Sequence, residues 1–280
     1  MLPLKILLFF FSVKTALSTC HCENKKSGFQ SGRRLYAVSK MGKLSTVVNE
    51  SSGLALADSS GFYWTHNDQG KAALYKINSS GQVVDTLPLT GIKNNDWEEL
   101  AKDNSQHLYI GDMGNNRNTR KNLAIYKVHP NTPRQSNQIA FRYSDQKDFP
   151  PAKKDRNFDC EAFFWHADSL YLFSKNRGNK QVKLYALPDK PGEYATEKQG
   201  DIFIKSQVTA ADMNPSQTEM AVLTYGKIFI FEVKPGENLL THPNLCIRLP
   251  RGQAEALVYV NDTDFVITNE KGKMFMVKRK

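Results

Sequence analysis

Short apolar and aromatic stretches recur along this chain at strand length, and no segment sustains helical periodicity. One recurring stretch carries an aromatic at its second position: Leu74-Tyr75-Lys76-Ile77, Ile125-Tyr126-Lys127-Val128, Leu184-Tyr185-Ala186-Leu187, Ile230-Phe231-Glu232-Val233 and Met274-Phe275-Met276-Val277. Its aromatic therefore stands at Tyr75, Tyr126, Tyr185, Phe231 and Phe275, recurring after 51, 59, 46 and 44 residues. A second stretch, about two strands earlier, sets a small or acidic residue before an apolar pair: Gly53-Leu54-Ala55, Glu98-Glu99-Leu100-Ala101, Glu161-Ala162-Phe163, Ala211-Asp212-Met213 and Glu255-Ala256-Leu257. A third lies between them, at Phe62–Thr65, Leu108–Ile110, Leu170–Phe173, Ala221–Leu223 and Phe265–Ile267, and runs into polar turn residues.

Three strands and a less distinct fourth, repeated at blade-like spacing, predict an all-β chain folded as a β-propeller. The count favours five blades. The last repeat opens at Glu255 and meets the end of the chain before a fourth strand can form, so its outer strand must come from elsewhere. An N-terminal strand closing the ring is expected, with Leu44 to Val48 as its source. Leu35-Tyr36-Ala37-Val38 then stands over as a further aromatic strand and keeps six blades open.

Composition agrees with a folded domain. The chain has 280 residues, 40% of them hydrophobic and 24% charged, which is too ordinary for a disordered segment. Its formal charge of +10 bears on association rather than on fold. Residues 1–18 carry Lys5, an apolar run from Ile6 to Phe11, and Ala16 and Ser18 in a cleavage-site pattern, so they read as a secretory signal peptide. The run is too short for a membrane anchor and no later segment qualifies as a transmembrane span. The expected division is a signal peptide at 1–18, an N-terminal tail at 19–33 and one propeller domain at 34–280. A secreted or extracytoplasmic location follows, with periplasm and cell surface both open. Cys20, Cys22, Cys160 and Cys246 suit an oxidising compartment, and a disulfide tether is the favoured reading. Leu17-Ser18-Thr19-Cys20 also resembles a lipoprotein box, which would make Cys20 a lipid anchor.

In a propeller the first strand of each blade lines the central channel, so acids at its start converge. Glu98 or Glu99, Glu161, Asp212 and Glu255 are placed that way, with Glu50 just ahead of the first repeat's strand, and Asp112 lies in an oxygen-rich turn. Carboxylates gathered in one funnel must be paired, protonated or bound to a cation. Glu98, Asp112, Glu161, Asp212 and Glu255 are the candidate metal ligands, for Ca²⁺ first and Mg²⁺ second. The plainer alternative is that basic channel residues such as Lys175, or interblade hydrogen bonds, satisfy them. The turns after the second strand supply candidate ligand-binding residues Asn67, Asp68, Asn115, Asn116, Arg117 and Glu270, although Asn, Asp and Gly are also ordinary turn formers.

Asn67-Asp68, Asp96-Trp97-Glu98-Glu99-Leu100-Ala101, Gly111–Arg117, Cys160-Glu161-Ala162, Val208–Pro215 and Gly252–Ala256 together resemble the landmarks of a family of secreted bacterial β-propeller proteins, which read roughly ND-x-G, DWED(I/L)A, GD-x-GDN-x-x-R, D-x-EA, VT-x-AD-x-SPDG and QGEA. The resemblance spans about residues 50 to 270 and implies the fold, with no settled activity. Asn115-Asn116 stands where the family tends to have Asp-Asn, which removes a charge from a cation site. Ser216-Gln217 stands in place of Asp-Gly.

Two function classes are expected from these residues. The first is a binding protein whose acidic, Ca²⁺-binding channel engages an extracellular ligand (a small molecule, glycan or protein), with Trp64, Trp97 and Trp165 as aromatic platforms or as interblade packing. The second is a Ca²⁺-dependent hydrolase of lactonase, nucleotidase or phosphoesterase type, with His66 or Glu161 as the catalytic base. No G-x-S-x-G or H-E-x-x-H motif supports serine-hydrolase or zincin chemistry. Nucleic acid fits less well, because Lys25-Lys26, Arg33-Arg34, Lys153-Lys154 and Lys278–Lys280 lie in termini and loops.

Overall fold

A computed structural model describes residues 27–250 and 252–280. Their strands form five sheets, each built on an antiparallel four-stranded blade of a propeller. Blade I is β3 (Ser51–Leu56), β4 (Phe62–Asn67), β5 (Ala73–Asn78) and β6 (Val83–Pro88). Blade II is β7 (Trp97–Lys102), β8 (Leu108–Asp112), β9 (Leu123–Val128) and β10 (Ser136–Tyr143). Blade III is β11 (Cys160–His166), β12 (Ser169–Ser174), β13 (Gln181–Pro188) and β15 (Lys198–Phe203), and on the way β14 (Gly192–Thr196) pairs in parallel with β10 of blade II. Blade IV is β16 (Val208–Met213), β17 (Glu219–Thr224), β18 (Lys227–Glu232) and β19 (His242–Arg248). Blade V is β20 (Ala254–Tyr259), β21 (Phe265–Asn269), β22 (Lys273–Arg279) and, from the other end of the chain, β2 (Tyr36–Lys43).

An N-terminal strand does close the ring, but from Tyr36–Lys43 rather than Leu44–Val48. In β2 the alternation puts Tyr36 and Val38 against the blade IV–V core. Leu44 and Val48 sit in the following turn, buried between blades V and I. The strand left over by sequence is therefore the missing outer strand, and no sixth blade forms among the described residues.

The apolar core is divided in the same way. Five clusters of buried side chains occupy the five junctions between neighbouring blades. Alternating strands present one apolar row to each neighbour, so a modest hydrophobic fraction suffices. The packed part starts before residue 34: β1 (Gln30–Ser31) adds in parallel to β19, and Phe29 lies edge-on to Phe229 and Phe231 at 4.9 and 5.0 Å. Cys160 is free and fully buried, while Cys20, Cys22 and the segment expected to be a signal peptide lie outside the described residues.

One irregularity recurs in every blade. The pairing of the first strand with the second slips at its start, around Ser52–Gly53, Glu98, Glu161, Thr209 and Glu255. A bulge of this kind leaves one residue unpaired and re-aims its side chain. At these bulges Ser52, Glu98, Glu161 and Glu255 face one end of the channel.

Candidate functional site

The bulges belong to a repeated frame. In each blade the backbone N–H just beyond the second strand donates to the carbonyl just before the first: Asp68 to Glu50 (3.0 Å), Gly114 to Asp96 (3.1 Å), Lys175 to Asp159 (2.6 Å), Tyr225 to Gln207 (3.2 Å) and Glu270 to Gln253 (2.9 Å). Equivalent backbone positions thus carry different side chains around one mouth. Blade I offers Glu50 and Asp68, blade II Asp96 and Glu98, blade V Glu255 and Glu270, blade III Glu161, Lys175 and Arg177, and blade IV Tyr225. These line a cavity of ≈ 270 Å³. Seven carboxylic side chains meet two cations there.

Both cations are spent within blade III. Lys175 Nζ makes a short ion pair with Glu161 and lies 5.2 Å from the Tyr225 ring centroid. Arg177 bonds Asp159 through Nε at 2.8 Å and Glu161 at 3.2 Å, and donates to Asn116. Among the described residues, the acids that blades I, II and V present to the cavity are in no ion pair. Gly114 lets two of them approach the backbone, because a Cβ there would collide with the carboxylates of Asp96 and Glu98.

The electrostatics follow from that crowding. Burial, a shared hydrogen bond and the charge of Glu50 push Asp68 up to about 7. Burial pushes Glu255 up to about 8, with Lys175 pulling back and Glu161 adding to the rise. Burial holds Glu98 well above the usual carboxylate range, reinforced by Glu161 and Asp159, and burial raises Asp96. Burial also opposes the charge on Lys175, but Glu161 outweighs it and the ammonium stays charged.

Of the five candidate metal ligands, Glu98, Glu161 and Glu255 come together at the mouth. Asp112 is buried outside the cavity and paired with Arg120 at 2.8 Å. Asp212 is at the opposite end of the channel, accepting the N–H groups of Tyr259 (2.8 Å) and Met213 (2.9 Å). The residue of β16 that matches Glu98, Glu161 and Glu255 is Thr209, three positions earlier than the sequence pattern suggested. Among the described residues no three His, Cys, Asp or Glu close on one point as metal ligands. The acids ring the mouth instead.

Asp68, Asn116 and Glu270 line the cavity. Asn67 is a strut, donating to the Val47 carbonyl at 2.9 Å and accepting from the Glu50 N–H at 3.3 Å. Asn115 caps its own turn, accepting the N–H groups of Thr119 and Arg120 at 2.9 Å each. Arg117 is exposed beyond the cavity. His66 is sealed in the core edge-on to Trp97, its pKa lowered by burial to about 4, so it does not face the mouth as a base. Trp64 and Trp97 are buried between blades I and II, and Trp165 is half-buried with its N–H on Asp189 at 2.9 Å. Sequence reading missed Asp96, Arg177 and Tyr225. A usable signal was there, since Asp68, Lys175, Tyr225 and Glu270 each directly follow a buried Asn, Ser or Thr that ends the second strand.

No protein-family model and no curated protein matches the chain. Among solved structures it is similar to the Pan2 WD40 domain of Neurospora crassa (9% identity, TM-score 0.47, covering 89% of this chain and 96% of that one). A streptogramin B lyase structure shows 9% identity and a TM-score of 0.46, covering 90% and 100%. Virginiamycin B lyase from Staphylococcus aureus shows 12% identity and a TM-score of 0.44, covering 82% and 66%. The likeness is one of fold.

Proposed function

We propose that this chain is a secreted binding protein whose acidic channel mouth takes a cationic group of an extracellular ligand. One observation carries the reading: six carboxyl groups of blades I, II and V face a ≈ 270 Å³ cavity and, among the described residues, are in no ion pair, while the seventh is neutralised by Lys175 and Arg177. Uncompensated acids in a partly buried site must hold protons or bind positive charge. Ca²⁺ is the first inorganic candidate and Mg²⁺ the second, because every donor is a hard oxygen. The spread of acids around the rim suits a hydrated ion or an organic ammonium better than a chelated bare one.

The same reading includes a disulfide from Cys246 to Cys20 or Cys22 that ties the N-terminal tail to blade IV. Its support is that Cys160 is free and fully buried while Cys246 is not among the free cysteines. The motif resemblance to secreted bacterial propellers points to the same compartment.

Calorimetric titration with CaCl₂, MgCl₂ and spermidine, alongside melting curves with and without chelator, tests the proposal. Heat and a rise in melting temperature with at least one cation are expected. No response to any of the three sinks it. A panel of lactone, nucleotide and phosphodiester substrates tests the hydrolase alternative, and turnover abolished by Glu161→Gln would replace the binding reading with that one.

A further inference from the structure

The mouth is not uniformly acidic at its rim. Cations gather on three loops over blades II and III: residues 113–122 carry Arg117, Arg120 and Lys121 with no acid, residues 175–180 carry Lys175, Arg177 and Lys180 with no acid, and residues 144–159 carry Lys147, Lys153, Lys154 and Arg156 against Asp145, Asp148, Asp155 and Asp159. Some of this charge is used internally, by Arg120 on Asp112 and by the blade III cations on Asp159 and Glu161. Arg117, Lys153 and Lys154 are exposed and, among the described residues, take part in no ion pair.

The backbone that carries these three is held beside the cavity, while their side chains stand in solvent. Asn116, next to Arg117, lines the cavity and accepts from Arg177. Lys153–Asp155 form a 3₁₀ turn that rests on Gly178, the neighbour of cavity-lining Arg177. A Cβ on Gly178 would come within 2.5 Å of the Lys154 carbonyl oxygen and 2.9 Å of the Arg156 nitrogen, so only glycine lets the turn sit so close. The Asn157 side chain locks the contact by accepting the Gly178 N–H at 2.8 Å.

An acidic half on blades I, II and V therefore adjoins a basic rim on the loops of blades II and III. A purely cationic ligand drawn to the acids meets repulsion from the rim, and a purely anionic one meets the reverse. Like-charge opposition of this kind discriminates between partners, and between exposed charges it is strongest at low salt. Resting on the cation-binding reading above, we infer that the ligand is dipolar: a peptide that places an ammonium or guanidinium group among the acids and a carboxylate on Arg117, Lys153 and Lys154.

The test is calorimetry at low salt with three matched peptides: acetyl-Lys-Gly-Glu-amide, acetyl-Lys-Gly-Gln-amide and acetyl-Gln-Gly-Glu-amide. The dipolar peptide is expected to bind at least tenfold more tightly than either singly charged one. In the triple variant R117E/K153E/K154E that advantage should vanish, while the Lys-Gly-Gln peptide binds as well as before or better. Equal binding of the Lys-Gly-Gln and Lys-Gly-Glu peptides to the wild-type chain overturns the inference and leaves the cation site standing. Failure of Ca²⁺, Mg²⁺, spermidine and all three peptides removes both. The wild-type comparison needs no variant to fold.

Discussion

Lys175 and Tyr225 occupy the same backbone position in adjacent blades, and the ammonium of the first lies 5.2 Å from the ring centroid of the second. A cation held between an aromatic face and a buried carboxylate is how an ammonium ligand would be held. Blade III thus supplies its own ligand-like group to one side of the mouth. The other side keeps the acids without the cation.

Replacing Lys175 by Met keeps the aliphatic stem but strips the charge from a pair in which Glu161 is 5% exposed. Breaking a buried pair by removing one partner costs about 3 kcal/mol, which in a chain of this size lowers the melting temperature by roughly 6–12 °C. Lys175→Met/Glu161→Gln should recover a large part of that loss. The single variant should also bind spermidine more tightly, because the cavity gains a negative charge. Thermal melts and calorimetry on the same samples check both, and unchanged spermidine affinity would mean that the mouth does not bind cations.

Gly114→Ala puts a methyl group where the Asp96 and Glu98 carboxylates now lie. The two acids must turn away, and the cavity loses its blade II wall. Spermidine or Ca²⁺ affinity is expected to fall at least tenfold, with denaturation midpoints moving little because the change is at the rim. Wild-type affinity in this variant would show that blade II does not contribute to the site.

The blade count and the converging glutamates could be read from sequence because each depends on a local repeat: an aromatic strand returning at blade-like spacing, from Tyr75 through to Phe275, and a small or acidic residue opening the inner strand. The position of Asp212 could not be read that way. Its apolar neighbours imitate those of Glu161, and only the slip in pairing between Val208 and Ala210 identifies Thr209 as the bulge residue of blade IV. Asp96 and Arg177 were hidden for another reason. Their roles depend on carbonyls and glycines that fold back from a different loop or blade, and nothing adjacent in sequence records that approach. Tyr36–Lys43 was legible as a strand, but its partner β22 lies at the opposite end of the chain, so its place in blade V was not.

The raised acids make stability fall with pH. Asp68, normally near 4, is held at about 7, and Glu255 at about 8, so the folded chain keeps protons that the unfolded chain has released. The stability these groups contribute is complete below their ordinary values and is lost as pH rises through about 7 to 8. His66, lowered to about 4, imposes the opposite slope between that value and its ordinary one, so the measurement belongs above pH 6.5. The melting temperature should drop by several degrees between pH 6.5 and 8.5, and saturating spermidine should flatten the drop by favouring the ionised acids. Binding at pH 7 should release protons, visible as titration heats that change with the buffer's ionisation enthalpy. A flat profile in this range would show that the acids are ionised throughout.

Glu99 separates the channel's stability from its binding. The side chain is fully buried, and its two oxygens accept the N–H of Leu100 at 2.9 Å and, across the channel, the N–H of Ala211 at 3.1 Å. Inner strands have no further strand to pair with, so these edge donors depend on it. In Glu99→Gln one oxygen becomes an NH₂ that faces a donor, which should cost about 1–3 kcal/mol. Glu99→Ala leaves both donors unsatisfied beside a void and should cost more. Equilibrium urea unfolding measures the difference. Because Glu99 does not line the mouth, spermidine affinity of the Gln variant should stay within twofold of wild type; a stable Gln variant that has lost cation binding would reverse the assignment and place Glu99 in the site.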